Sequence, residues 1–134
     1  MLAIRPQWLF GAAAAFNLAI GSSLLLARRA LTPLVGLDTI NGTNLVTYYL
    51  TAAFVTLFGY AYVRAAFNPA RYRPYIVLGL AGKLIASAAI LTIASFVRIP
   101  PSLLALAGAD LIFSFLMIAF LRQTAHPSDT SAGP

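Results

Sequence analysis

The sequence contains no cysteine, no glutamate, one lysine and one histidine. Without cysteine the chain has no disulfide, no thiolate metal site and no thiol redox chemistry. The histidine, His126, lies in a polar C-terminal segment, so a haem inside a membrane would lack a histidine ligand. Paired carboxylates, His-rich segments and glycine-rich phosphate loops are missing, and no motif links the chain to a known family. We therefore predict a protein that is not an enzyme and has no cofactor.

Charge is also scarce. Charged residues make up 9% of the 134 residues, against about 25% in soluble proteins, and hydrophobic residues make up 60%. Nine Lys and Arg against three Asp and Glu leave a net charge of +6, which in a soluble protein would favour nucleic acid. Here the arginines lie at the ends of apolar segments, where they set topology and meet lipid headgroups. The composition therefore predicts a membrane protein that does not bind nucleic acid.

Four apolar segments have the length of about 20 residues that a membrane-spanning helix needs. We predict helices at about 8–27, 45–63, 75–97 and 102–121, which together form an all-α, up-down four-helix transmembrane bundle within residues 1–122. The segment 28–44 is expected to lie at the membrane surface, and residues 123–134 are expected to form a disordered polar tail. The first helix is expected to be retained, since it is longer than a signal-peptide core and two arginines follow it.

Several residues suggest where these helices begin. Asn44 and Ser102 are predicted to cap the second and fourth helices, and Pro74 is predicted to occupy the first turn of the third. The tyrosines of the second helix fall near its ends, where interfacial aromatic residues are common. They are Tyr48, Tyr49, Tyr60 and Tyr62.

The distribution of basic residues predicts the orientation. Five arginines flank the helices on the side of the termini and three on the opposite side, which favours cytoplasmic termini. The general character of the chain is that of a small bacterial inner-membrane protein.

Three polar residues interrupt the apolar helices at a similar depth. At about 1.5 Å per residue, Asn17, Lys83 and Asp110 lie roughly 12–16 Å from the terminal side of the membrane. The third and fourth helices are joined by a short turn, so we predict an ion pair between Lys83 and Asp110, with Asn17 donating to Asp110. Other polar residues at or near this depth are predicted to join the layer. They are Thr56, Ser87 and Ser114.

This polar layer has two interpretations. A paired charge layer can fix the register of the helices without any further role. Ionisable residues inside a membrane are also functional candidates, and Lys83 lies one helical turn from both Gly79 and Ser87. The second interpretation predicts that the layer holds an anion or a polar lipid head.

A second basic group lies between the second and third helices. This group falls within ten residues and consists of Arg64, Arg71, Tyr72 and Arg73. Such a cluster anchors the topology of the chain, and it can also dock anionic headgroups or an acidic partner. We predict docking at these four residues.

Three classes of function remain open. The first is a non-catalytic bundle that acts as an accessory or assembly subunit, or binds a lipid or other hydrophobic small molecule. The second is a small oligomeric transporter or channel in which Lys83 and Asp110 couple to ions or protons. The third is an intramembrane enzyme, for which a desolvated Lys83 would be the nucleophile. We favour the first class, because the charged layer is expected to pair within itself.

Overall fold

The computed structural model describes residues 5–36 and 42–125, apart from the side chain of Thr43. These residues form four long helices and one short one. They are α1 (Pro6–Leu26), α2 (Arg28–Leu31), α3 (Gly42–Phe67), α4 (Arg73–Ala94) and α5 (Pro101–Ala125). The four long helices are long enough and apolar enough to cross a membrane. The predicted all-α four-helix fold is confirmed.

The ends of the helices differ from the predicted ends by a few residues. α4 ends at Ala94 rather than at 97, because Ser95 and Phe96 lie in turns that follow the helix. α5 continues to Ala125, into the segment predicted as a tail. The rest of that tail, 126–134, lies outside the described residues, as do 37–41 of the predicted surface segment, of which α2 and the turns to Gly36 are described.

The residues that begin these helices act differently from the predicted caps. Pro74 does lie in the first turn of α4. Asn44, however, lies inside α3, which begins at Gly42. Ser102 lies inside α5, and its hydroxyl donates to the carbonyl of Leu34 in the turns that follow α2. The predicted caps at Asn44 and Ser102 are therefore wrong, since proline and glycine begin these two helices one or two residues earlier.

α1 and α3 form the most extensive antiparallel contact of the bundle. Gly21 of α1 faces the backbone of Thr56, and Gly59 of α3 faces Leu18. A Cβ atom at Gly21 would lie 3.0 Å from the backbone nitrogen of Thr56. Small residues at such crossings allow two membrane helices to approach closely.

The remaining contacts close the bundle into a ring. α4 packs against α5, and α5 packs back on α1 through the Phe10 and Phe120 rings, which meet edge-to-face at 5.1 Å. α3 and α4 share a smaller contact, in which Gly79 lies under the Tyr62 ring and Gly82 under Phe58. The four long helices therefore follow the up-down order that the sequence predicts.

The main apolar core lies in one half of the bundle along its axis. We call this half the terminal half, because it contains Arg5, residues 68–72 and Ala125. The opposite half contains α2 and residues 95–100. The largest fully buried side chains of the core are Phe10, Tyr62, Ile76 and Met117. The prediction of Tyr62 as an interfacial residue is therefore wrong, since its ring packs against Gly79 in this core. Tyr48 is also buried, with its hydroxyl donating to the carbonyl of Leu24 at 2.9 Å.

Candidate functional site

Lys83 and Asp110 form an ion pair at mid-height in the bundle, as predicted from their depths. Lys83 is on α4 and Asp110 on the neighbouring α5, and their side chains are 5% and 14% exposed. The Lys83 ammonium also donates to Oδ1 of Asn17 on α1, at 3.1 Å. Three helices are thus joined by one lysine.

Aromatic rings surround the same ammonium. The ring centroids of Phe16, Tyr62 and Phe113 lie 5.4–5.7 Å from Lys83 Nζ. The negative face of an aromatic ring attracts a cation, and the attraction is larger where water is excluded. Two oxygen acceptors and three rings together compensate Lys83 for its lost hydration, so this ammonium is committed to partners within the protein.

Asn17 takes a different role from the predicted one. The prediction that it donates to Asp110 is wrong, because the Lys83 ammonium lies between the two side chains and bonds to both. The amide nitrogen of Asn17 instead donates to the carbonyl of Val55 on α3, at 3.5 Å. Asn17 therefore connects Lys83 to α3.

The three hydroxyl residues predicted to join the layer do not donate to its side chains. Each donates to a backbone carbonyl: Thr56 to Ala52 at 2.8 Å, Ser114 to Asp110 at 2.7 Å, and Ser87 to Ala107 at 3.2 Å. A Ser or Thr hydroxyl in a helix commonly bonds to a nearby carbonyl in this way. The side chains that hydrogen-bond to one another in this layer are therefore Lys83, Asp110 and Asn17, and a ligand-binding role for the three hydroxyls stays a prediction.

A cavity of about 250 Å³ lies between α3 and α4, and the polar layer forms part of its wall. Gly79 and Gly82 are in contact with α3 on the terminal side of Lys83. On the other side of Lys83 the cavity extends to Phe54 and Ala86, which are exposed at the surface of the bundle. The charged layer therefore lies beside a cavity that opens at the outer surface of the bundle, between α3 and α4.

Tyr62 lines this cavity, although the sequence analysis did not predict it as a site residue. Its hydroxyl is buried, and it is the only such side-chain atom within residues 5–36 and 42–125 that lacks a hydrogen-bond partner. One signal was present in the sequence: Phe54, Phe58 and Tyr62 are spaced at four residues and share a face of α3. Tyr62 is the last residue of this aromatic face, and its hydroxyl lies opposite small residues of α4, which include Gly79.

The basic group at the end of α3 is only partly assembled. The Arg64 guanidinium donates to the hydroxyl of Tyr72 and, at 3.4 Å, to that of Tyr60, while Arg71 lies 5.8 Å from the Tyr72 ring. Arg73 is separate from this group, because it donates to Thr124 at 2.9 Å and to a backbone carbonyl near the end of α5. Arg73 therefore stabilises the end of α5, and docking at Arg64, Arg71, Tyr72 and Arg73 stays a prediction.

The contact between Arg64 and Tyr72 has a measurable effect on ionisation. The hydrogen bond from the guanidinium stabilises the phenolate and lowers the pKa of Tyr72 below its ordinary value. We expect Arg64→Gln to move the titration of Tyr72 to higher pH. The measurement is an NMR titration of Cζ-labelled tyrosine in micelles, with the Tyr72→Phe variant assigning the resonance. A Tyr72 titration that is unchanged in Arg64→Gln would contradict the contact.

These observations describe a membrane-type protein of four apolar helices with one charged layer at a cavity. Within the described part of the chain, no three His, Cys, Asp or Glu side chains come together as a metal site requires. Comparison of the chain with protein-family models, with curated proteins and with solved structures finds no match.

Proposed function

We propose that this protein is a non-catalytic membrane protein that binds a hydrophobic ligand from the bilayer in the cavity between α3 and α4. The polar end of the ligand lies near the Lys83–Asp110 layer, and its apolar part leaves between Phe54 and Ala86. The observation that carries the proposal is that this charged layer forms part of the wall of a cavity open to the side of the bundle.

The position of the layer favours binding over a purely structural role. A charge pair that only fixes helix register is best enclosed on all sides, since solvation or an open space weakens it. Here 14% of the Asp110 side chain remains exposed, and about 250 Å³ of space lies beside the pair. Apolar walls with a few polar groups are the usual form of a small-molecule site.

The same geometry opposes catalysis by Lys83. A lysine acts as a nucleophile through its neutral amine, which needs a free lone pair. The Lys83 nitrogen donates to Asp110 and to Asn17 and lies among three aromatic rings, so it is engaged by partners within the protein. This pairing supports the proposal of a non-catalytic role.

Filling the mouth of the cavity tests the proposal. Ala86 lines the mouth, whereas Ala88 is exposed on α4 and does not line the cavity. We expect Ala86→Phe to lower the amount of lipid that copurifies in a mild detergent by about tenfold, corresponding to roughly 1.4 kcal/mol, because the ring occupies the ligand's path. Ala88→Phe is the matched control and should retain the wild-type amount. Mass spectrometry of the extracted lipid gives the measurement.

Three other results would overturn the proposal. Equal lipid content in the two variants would remove the cavity as the binding site. A stoichiometric partner chain without bound lipid would favour an accessory subunit. Ion or proton flux through liposomes that is lost in Asp110→Asn would favour a transporter instead.

A further inference from the structure

We infer that the ligand is an uncharged amphiphile and that one of its oxygen atoms accepts a hydrogen bond from the Tyr62 hydroxyl. This inference rests on the proposed function and specifies the class of ligand. It follows from which polar groups at the cavity are committed to partners and which are not.

The charges at the cavity cancel. Lys83 and Asp110 are paired with each other, and the ammonium is further bonded to Asn17 and surrounded by three rings. An anionic head would have to displace Asp110, and a cationic head would have to displace Lys83. Either displacement leaves a buried charge without its partner, which is strongly unfavourable. An uncharged head requires no such exchange, and this argues against the anionic head considered from the sequence.

The Tyr62 hydroxyl is the uncommitted polar group. Tyr62 is 0% exposed and lines the cavity, yet its hydroxyl has no hydrogen-bond partner among the described residues. Burying a hydroxyl without a hydrogen bond is unfavourable, and nearly all buried tyrosine hydroxyls have a partner. An acceptor oxygen brought by a ligand would satisfy this group.

The surroundings of the hydroxyl limit the size of the head. Gly79 lies against the hydroxyl end of the Tyr62 ring, and a Cβ at that position would meet the hydroxyl oxygen and approach ring atom Cε1 to 2.6 Å. Phe54, Val55 and Phe58 supply further apolar wall in the same cavity. One donor among apolar walls suits a single ester, ketone or ether oxygen rather than a sugar or a phosphate.

Four probes that share an eighteen-carbon chain separate the possible heads. They are methyl oleate, which offers an uncharged carbonyl; oleate, which is anionic; oleylamine, which is cationic; and 1-octadecene, which has no polar head. Native mass spectrometry of the detergent-solubilised full chain gives the relative affinities. We expect methyl oleate to bind most tightly.

The hydroxyl is tested with a matched pair of variants. We expect Tyr62→Phe to weaken methyl oleate binding by about three- to tenfold, as loss of one neutral hydrogen bond predicts, and to leave 1-octadecene binding unchanged. Tyr48→Phe also removes one buried tyrosine hydroxyl, but that hydroxyl donates to Leu24 and is not part of this cavity. It should leave the affinities for both probes at the wild-type value.

The failures of the two proposals are distinguishable. If none of the probes binds to the wild-type chain, the proposed function fails. If the probes bind but Tyr62→Phe changes nothing, water rather than a ligand satisfies the hydroxyl, and only the present inference is overturned. Tightest binding of oleate or oleylamine would also overturn it, because a charged head would then be preferred.

Discussion

Replacing Asp110 with leucine alone is expected to destabilise the bundle by about 3 kcal/mol. The substitution leaves the Lys83 ammonium, which is 5% exposed, with Asn17 and three aromatic rings but no counter-ion. Removing one partner of a buried pair typically lowers stability by about 3–5 kcal/mol, and a lone charge at the centre of a membrane helix costs about 2.5–3.5 kcal/mol on insertion scales. Unfolding by SDS titration in mixed micelles, followed by circular dichroism, measures the change.

The double variant distinguishes the effect of breaking the ion pair from the effect of losing side-chain packing. In Lys83→Met with Asp110→Leu both charges are absent, and replacing a buried pair with apolar side chains is often neutral or stabilising. We expect the free energy of unfolding of the double variant to lie within about 1 kcal/mol of the wild-type value. The double variant should therefore be clearly more stable than either single variant. If the two single effects simply add, the two side chains are not energetically coupled and the pair does not stabilise the fold.

Substituting alanine for Gly21 is expected to destabilise the bundle by about 2 kcal/mol. The added Cβ would lie 3.0 Å from the backbone nitrogen and 3.1 Å from the Cα of Thr56, and it would also meet the Thr56 hydroxyl. Backbone atoms cannot rotate away as a side chain can, so α1 and α3 must move apart along their contact. Overpacking of this kind typically costs about 1–3 kcal/mol. The same SDS titration measures it.

Gly11 provides the control within the same helix. A Cβ at Gly11 would meet no atom within 4 Å. Because alanine is a better helix former than glycine by about 1 kcal/mol, Gly11→Ala should be neutral or slightly stabilising. Equal destabilisation by Gly11→Ala and Gly21→Ala would mean that the close approach at Thr56 does not decide the effect.

The helices and the ion pair were predictable because they depend on properties that are local in the chain. An apolar run of about 20 residues reports the thickness of the membrane directly. The depth of Lys83 or Asp110 follows from its distance to the end of its own helix, since the rise per residue is constant. Two opposite charges at similar depth on helices joined by a short turn have few other partners.

The hydrogen bonds around that pair were not predictable in the same way. Depth leaves open the rotation of each helix about its axis, and the rotation decides which side chains meet. Thr56 lies on the α1 contact against Gly21, while Asn17 accepts from Lys83 rather than donating to Asp110. Ser114 donates to the carbonyl one turn earlier in its own helix. Ser87 instead donates across to Ala107 of α5, a contact that the rotation of α4 decides.

By itself, the sequence determined that this protein is a four-helix membrane-type bundle with one charged pair in its middle. Hydrophobicity, length and depth are properties of each helix taken alone, so they needed no knowledge of the neighbours. Only the tertiary structure decided that the pair borders an open cavity and that Tyr62 is buried beside it with an unpartnered hydroxyl. A cavity is the space that four rotated and closely packed helices leave between them, and such a space belongs to no single segment of the chain.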